Sequence, residues 1–476
     1  MRELLRVAPV TERLAERFGR AGHELYLVGG PVRDALLGRL HDDLDFATDA
    51  RPEQILALVA PLGPTWTTGI TFGTVGVQLG HDGASHRCEI TTYRSDTYDP
   101  DSRKPEVSFG DSIEADLSRR DFTVNAMAIR LPLQAAHPVV DPFGGLDDLA
   151  REVLRTPVRP EQSFDDDPLR MLRAARFAAQ VGFSVDSAAL SAITEMAPRL
   201  GIVSAERIRD ELSKLVLGAH PRLGLELLVV TGLAEQCLPE LARLKETVDE
   251  HHRHKDVYAH TLTVLDQAIA LEDDGPDLIL RLAALLHDIG KPKTKSIGPR
   301  GKVSFHHHEV VGAAMTRQRL IALRYPKDVV DDVSTLVELH LRFHGYADGE
   351  WTDAAVRRYV RDAGPLLARL HKLTRSDCTT RNPAKARALA RAYDSLERRI
   401  AELEEEEDLA RIRPDLDGNT IMAELGIRPG PVVGRAYRHL LDLRLERGPL
   451  PHDDAVAELH RWAREQGLEP GRDSAE

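Results

Sequence analysis

The sequence predicts an α/β head carried on a long all-helical body. Two observations point to it. Between residues 24 and 150, short apolar runs alternate with turns marked by Gly and Pro, the pattern of strands interleaved with short helices. From about Asp165 the apolar spacing becomes helical and stays so almost to the end. At 476 residues the chain is too long for a single core, so several domains are expected. We divide it into residues 1–150, 151–240, 241–383 and 384–476.

Residues 1–20 read as one amphipathic, charged helix with no apolar stretch of signal-peptide length. The run YLVGGPVRDALLGRLHDDLDFAT, Tyr26 to Thr48, follows. It joins a Gly29-Gly30 turn to a short helix and then to a strand carrying Asp43 and Asp45. Residues i and i+2 of a strand share a face, and two carboxylates forced together repel unless a cation sits between them. Hard oxygen ligands suit Mg²⁺, commonly held by carboxylates plus substrate phosphates. Bare backbone N–H groups at a Gly-Gly turn can approach a triphosphate closely. The pair is a metal-assisted nucleotidyl-transfer site in outline; a lone Asp-x-Asp would read as a turn or strand end.

This run resembles the head signature of the tRNA nucleotidyltransferase and poly(A) polymerase family, whose head has a polymerase-β-like nucleotidyltransferase fold. The resemblance implies that Asp43 and Asp45 carry Mg²⁺, that Gly30 and Arg33 meet the nucleotide's phosphates, and that Asp34 orders the turn.

TFGTVGVQL from Thr71 and RCEITTYR from Arg87 read as adjacent strands. Glu89 is either a third carboxylate for the metal site or a surface residue paired with Arg87 or Arg94. Ser95 to Pro105 reads as a mobile loop beside the site. LSRRDFTVNAMAI, Leu117 to Ile129, offers Arg120 to a phosphate and Asp121 to a ribose hydroxyl. A plain charged helix start, with Asp121 as N-cap, is the other reading. The run resembles the family's Arg-Arg-Asp motif without departure. Asp141 to Pro157 resembles its link from head to neck.

FDDDPLRMLRAARFAAQ, Phe164 to Gln180, reads as one helix with acids and a proline in its first turn. Asp167 and Arg170 are surface neighbours on it, and Arg173 and Arg176 continue the line. Cytosine and adenine both present an exocyclic amine beside a ring-nitrogen acceptor; guanine and uracil present the reverse. A carboxylate beside a guanidinium therefore accepts C and A and refuses G and U. An unmatched buried group costs about 1–3 kcal/mol. The run resembles the family's Glu-Asp-x-x-Arg motif, with Asp166 where glutamate is usual. SAERIRDEL, Ser204 to Leu212, resembles its neck motif, with Ser204 as a helix cap and Arg207 in a structural role.

A second constellation lies in the body: His260, His287-Asp288, His308, His340 and Asp377. Imidazoles and carboxylates ligate divalent transition metals. This ordered set, with Gly290-Lys291 after the His-Asp pair, resembles the HD phosphohydrolase superfamily. His260, His287, Asp288 and Asp377 match its minimal set; His308 and His340 match the extra ligands of two-metal members. His306 and His307 are equally placed by composition, and Glu309 after it favours His308. HD domains occur fused to tRNA nucleotidyltransferases, where they hydrolyse phosphoesters, including 2′,3′-cyclic phosphates, or only scaffold. The Glu-rich run Ala401 to Asp408 continues a solvated helix, and Leu416 to Gly448 resembles a C-terminal motif of the fused proteins. Its PGPVVG turn either meets an RNA phosphate or merely connects helices. The tail from Gly467 reads as frayed.

Cys88, Cys237 and Cys378 show neither pairing nor zinc spacing, which fits a reducing cytoplasm. No segment is apolar enough to span a membrane. A net charge of −13 argues against a protein that coats nucleic acid everywhere, but allows local basic patches. The resemblances imply an enzyme that adds CCA to tRNA from CTP and ATP, with a poly(A) polymerase or a partial CC- or A-adding enzyme as alternatives. In a different class stands an HD phosphohydrolase with a non-catalytic RNA-binding head.

Overall fold

The computed structural model describes residues 2–81, 83–97, 106–110, 112–133, 139–245, 247–249, 255–299, 303–343, 351–380, 382–407 and 412–468. It divides into two units, Met1–Ala242 and Arg243–Glu476.

The first unit opens with α1 (Arg2–Arg20). Its Val7, Val10, Leu14 and Phe18 recur at helical spacing and are buried in the core. A seven-stranded sheet follows, built from β1 (Leu25–Val28), β2 (Asp43–Thr48), β3 (Thr65–Trp66), β4 (Thr74–His81), β5 (Ala84–Thr92), β8 (Ala128–Leu131) and β9 (Val139–Val140). Its order is β3-β4-β5-β2-β1-β8-β9. Only β2 and β5 run parallel; the other pairs are antiparallel. Strand alternation divides the side chains between two cores. Leu25, Leu27, Leu44 and Phe46 join the α1 side, and Tyr26, Val28 and Ala47 the other.

β6 (Arg94–Thr97) and β7 (Glu106–Phe109) form a separate antiparallel pair. The expected loop at Ser95 is thus strand as far as Thr97, and residues 98–105 lie outside the described residues. Helices α2 (Gly30–Leu36), α3 (Pro52–Val59), α4 (Ile113–Ser118) and α5 (Gly145–Arg151) complete the head.

The expected single helix over Phe164–Gln180 is two. α6 (Pro160–Asp166) ends at Asp167, whose backbone is extended, and α7 (Leu169–Val181) starts after Pro168. Proline disfavours helical geometry in the residue before it, which accounts for the break. α8 (Ser187–Met196) and α9 (Ala205–Val216) follow, and α7 packs on α9 and on the helix Pro221–Val230.

The second unit is helical apart from small two-stranded ladders such as Ser296–Ile297 with Val303–Ser304. The helix Pro383–Glu407 carries the Glu-rich run as far as it is described. The last three helices, Gly418–Leu425, Pro431–Arg447 and His452–Glu465, share a core of their own around Ile421, Leu440, Leu459 and Trp462. The tail is described only to Leu468. Among the described residues, no helix is long and apolar enough to cross a membrane.

Candidate active site and metal centre

The first unit contains a cleft of about 1270 Å³. Its floor is the centre of the sheet. In the parallel register of β2 and β5, Asp43 lies opposite Arg87 and Asp45 opposite Glu89. Three carboxylates therefore stand on one face, two of them directly side by side. Glu89 accepts from Arg87 Nη2 at 2.9 Å, the pairing one sequence reading expects, and stands beside Asp45. Asp45 faces the open cleft but is crowded by protein atoms on every other side. That crowding pushes its carboxyl up to about 6 against the pull of Arg120, with Glu89 and Asp43 adding to the rise. A carboxylate cluster that resists its own ionisation is one that a divalent cation relieves, so the donor set fits the ion that the resemblance implies.

Gly29, between β1 and α2, has φ +74°, and a Cβ there would lie 2.5 Å from Arg120 Nη1. Only glycine allows this approach, which brings the turn against the arginine. Arg120 is steadied by Asp116 at 3.1 Å. Arg33 is more engaged than expected. It donates to both oxygens of Asp34 at 2.9 Å and to Asn125 Oδ1 at 2.6 Å. Asp34 thus aims Arg33 as well as flanking the turn.

Asp121 lines the cleft, but its carboxylate is already engaged within the protein. It is buried, accepts from Phe122 N and Asn125 Nδ2, and pairs with Arg173 at 2.6 Å. Burial opposes its ionisation, but Arg173 and Asn125 outweigh that and hold it below the usual carboxylate range. Nor is it a helix N-cap, since Phe122 holds that place before a short 3₁₀ turn at Thr123–Asn125. Arg176 pairs with Glu211 at 2.9 Å, and burial pulls it down to about 10. Arg173 and Arg176 therefore tie α7 to the head motif and to α9.

Asp167 and Arg170 both line the cleft. Arg170 is anchored to Ser163 O and Oγ and to Arg119 O. These bonds hold the guanidinium in place at the edge of the cleft. Asp167 accepts from Leu169 N and from Arg207 Nη2 at 2.8 Å. Arg207, expected to be structural, thus reaches the Asp167 carboxylate and lines the cleft. Ser204 is at the N-cap of α9, but its side chain makes no capping bond. Nine arginines and six carboxylates line the cleft, a positive excess that suits a triphosphate within a net acidic chain.

In the second unit, His260 comes from the helix Val257–Ile269, and His287-Asp288 closes Leu278–Leu286. His308 starts His308–Ala322, His340 ends Lys327–Leu339, and Asp377 ends Leu367–Ser376. Their ligand atoms converge as two sets of three, His260/His287/Asp377 and Asp288/His308/His340. Asp288 joins them, 3.2 Å from His287 Nε2 and 3.3 Å from His308 Nε2. Backbone carbonyls of Ala284, Phe305 and Val337 take up Nδ1 of His287, His308 and His340. This orients Nε2 of each inward, as metal-ligating histidines require. His340 Nε2 is buried without a hydrogen-bond partner among the described residues, and Asp288 Oδ2 also lies 2.8 Å from Lys291 Nζ. Burial opposes charge on His287, yet Asp288 and Asp377 push it up to about 10. Burial, with the charge on His287, pushes His340 down to about 3. The cluster calls for positive charge at its centre, which a divalent ion supplies. His306 and His307 are exposed and outside it.

The chain matches the family model "Poly A polymerase head domain" over residues 25–155. It matches "Probable RNA and SrmB- binding site of polymerase A" over 182–245 and "HD domain" over 257–382. It is 35% identical over 447 residues to the A-adding tRNA nucleotidyltransferase of Deinococcus radiodurans, covering 92% of this chain and 95% of that one. It is 42% identical over 230 residues to the CCA-adding enzyme of Limosilactobacillus reuteri, 48% of this chain and about half, 53%, of the relative. Among solved structures, the Bacillus stearothermophilus CCA-adding enzyme in complex with CTP matches with TM-score 0.67 at 26% identity, covering 96% of this chain and 98% of that one.

Proposed function

This chain belongs to the tRNA nucleotidyltransferase and poly(A) polymerase family, and from that premise we propose that it adds C, C and A to tRNA 3′ ends from CTP and ATP. The observation that carries the reading is the row Asp43, Asp45 and Glu89 on the floor of the cleft that Asp167 and Arg170 also line. Asp43 and Asp45, with Glu89 beside them, would hold Mg²⁺, which when bound lowers the pKa of the attacking hydroxyl and neutralises the leaving pyrophosphate. The Gly30 end of the turn and Arg120, with Arg33 behind them, receive the triphosphate, while the Gly29 amide is held by Met127 O. Asp167 accepts from the exocyclic amine of C or A, and Arg170 donates to the ring nitrogen. Arg207 fixes the carboxylate, and Asp121, Arg173 and Arg176 position α7. No template is needed, because the protein supplies the pairing edge.

In the second unit, His260, His287, Asp288, His308, His340 and Asp377 would hold one or two transition-metal ions for phosphoester hydrolysis. The four-part division at 150, 240 and 383 belongs to the same reading, and the separate core of the last three helices supports a distinct C-terminal part. So does a cytoplasmic setting, in keeping with three free cysteines.

A second reading, addition of A alone, is favoured by one observation: the relative matched over nearly its full length is A-adding. Purified protein given tRNA lacking CCA and tRNA ending in CC, with each NTP and with CTP plus ATP, separates them. CCA addition requires CTP incorporation on the first substrate. Incorporation of ATP only, and only after CC, would establish the A-adding reading instead.

A further inference from the structure

The sheet order places the carboxylate strands β2 and β5 at its centre. The elements that receive the nucleotide lie to one side: Gly29-Gly30 after β1, and Arg120 to Asn125 before β8. On the other side, β4 and β3, the cleft continues, and its character changes. The register runs Asp45, Glu89, Gly76, Trp66 straight across four strands. Gly76 is bare because the Trp66 indole occupies the space where its side chain would be. The ring thus folds back along the sheet toward the carboxylates. Arg87, the partner of Glu89, lies over that ring at 4.9 Å. On the turn into β4, Phe72 lines the same cleft. Its side chain is 47% exposed; it is the only aromatic among the exposed large hydrophobic residues described. Its backbone is fixed, with N donating to Gly69 O at 2.9 Å and O accepting from Arg94 Nη1 at 2.8 Å.

We propose that Phe72, in the same part of the cleft wall as the Trp66–Arg87 stack, is the platform on which the unpaired 3′-terminal base of the acceptor RNA stacks. This rests on the transferase reading and adds where the second substrate lies. In-line transfer needs the attacking hydroxyl and the leaving pyrophosphate on opposite sides of the phosphorus. With the triphosphate on the β1 side, the hydroxyl enters from the β4–β3 side, where the aromatic surface is. Stacking tolerates any base, which suits an acceptor end whose last nucleotide changes at each addition, and Arg87 and Arg94 supply charge for its backbone.

Steady-state kinetics on the full chain test this with tRNA lacking CCA, intact or abasic at its 3′-terminal nucleotide. Loss of a base–aromatic stack weakens binding about 5- to 150-fold. Phe72→Leu should therefore raise KM for tRNA about tenfold or more, leave KM for CTP and ATP within about twofold, and be rescued by Phe72→Trp. The abasic end should cost wild type a similar factor and the Leu variant nothing further. Wild type that uses intact and abasic ends equally well would overturn the proposal whatever the variants do. So would penalties that simply add, or a nucleotide KM that rises with the tRNA KM. A wild type that extends no tRNA would refute the transferase reading itself, whereas normal extension with no stacking effect refutes only the platform.

Discussion

Replacing Asp45 with asparagine should abolish nucleotide transfer and, at the same time, stabilise the metal-free protein at neutral pH. The carboxyl titrates near 6 in the folded chain against an ordinary value of 3.8. A group whose pKa is raised by folding favours the folded state below its unfolded value and loses that contribution as pH rises through the folded value. At pH 7.5 the ionised Asp45 is therefore a liability that asparagine removes. About two pK units correspond to about 3 kcal/mol at most. Because the carboxylate faces open solvent, screening reduces this to about 1 kcal/mol. For a unit of this size that is a rise in Tm of about 2–4 °C. Calorimetry of wild type and Asp45→Asn in chelator should show the gain at pH 7.5 and about half of it at pH 5, where wild-type Asp45 takes up its proton. Mg²⁺ should stabilise wild type and leave the variant unmoved. A variant no more stable at pH 7.5, or a gain that grows as pH falls, refutes the account of Asp45 as a strained metal ligand.

Asp43→Ala should lose transfer by at least about 10³-fold while tRNA binding, followed by fluorescence anisotropy, stays within a fewfold; Glu89→Gln should slow the reaction without ending it. Asp167→Ala should lower the preference for CTP and ATP over UTP and GTP by about 10-fold or more in competitive incorporation. Arg207→Ala should do so less, because it orients the carboxylate without replacing it; unchanged selectivity in both would place base reading elsewhere. Arg173→Ala leaves Asp121 charged and buried, and chemical unfolding should show a loss of about 3–5 kcal/mol from the first unit. His287→Ala with Asp288→Ala should strip the metal of the second unit, seen by elemental analysis, together with any cyclic-phosphate hydrolysis. Nucleotide addition should persist, and its loss in a folded variant would mean the two sites are coupled.

What the sequence made legible is what obeys a local rule. Asp43 and Asp45 share a face because strands alternate, and the structure adds that Glu89 is the register partner of Asp45. The six HD ligands stand at helix starts, ends or first turns, which fixes their order along the chain but not the convergence of Nε2 atoms that the carbonyls of Ala284, Phe305 and Val337 impose. Where local rules competed, the sequence misled. The acids before Pro168 look like the first turn of one helix, yet the proline's demand on Asp167 breaks the segment there. The break then turns Asp167 toward Arg207, forty residues on, and no spacing announces that pair. Asp121 shows the same limit: a carboxylate after two arginines looks free for a ligand, and only the fold reveals that Arg173 and Asn125 hold it. Long-range ion pairs leave no periodic signature, so the charged residues most easily assigned to substrate from sequence include those the fold spends on positioning. Trp66 over Gly76 is the converse case. A glycine and a tryptophan ten residues apart say nothing together until β3 and β4 pair, and only then does the far side of the cleft become an aromatic surface level with the carboxylates.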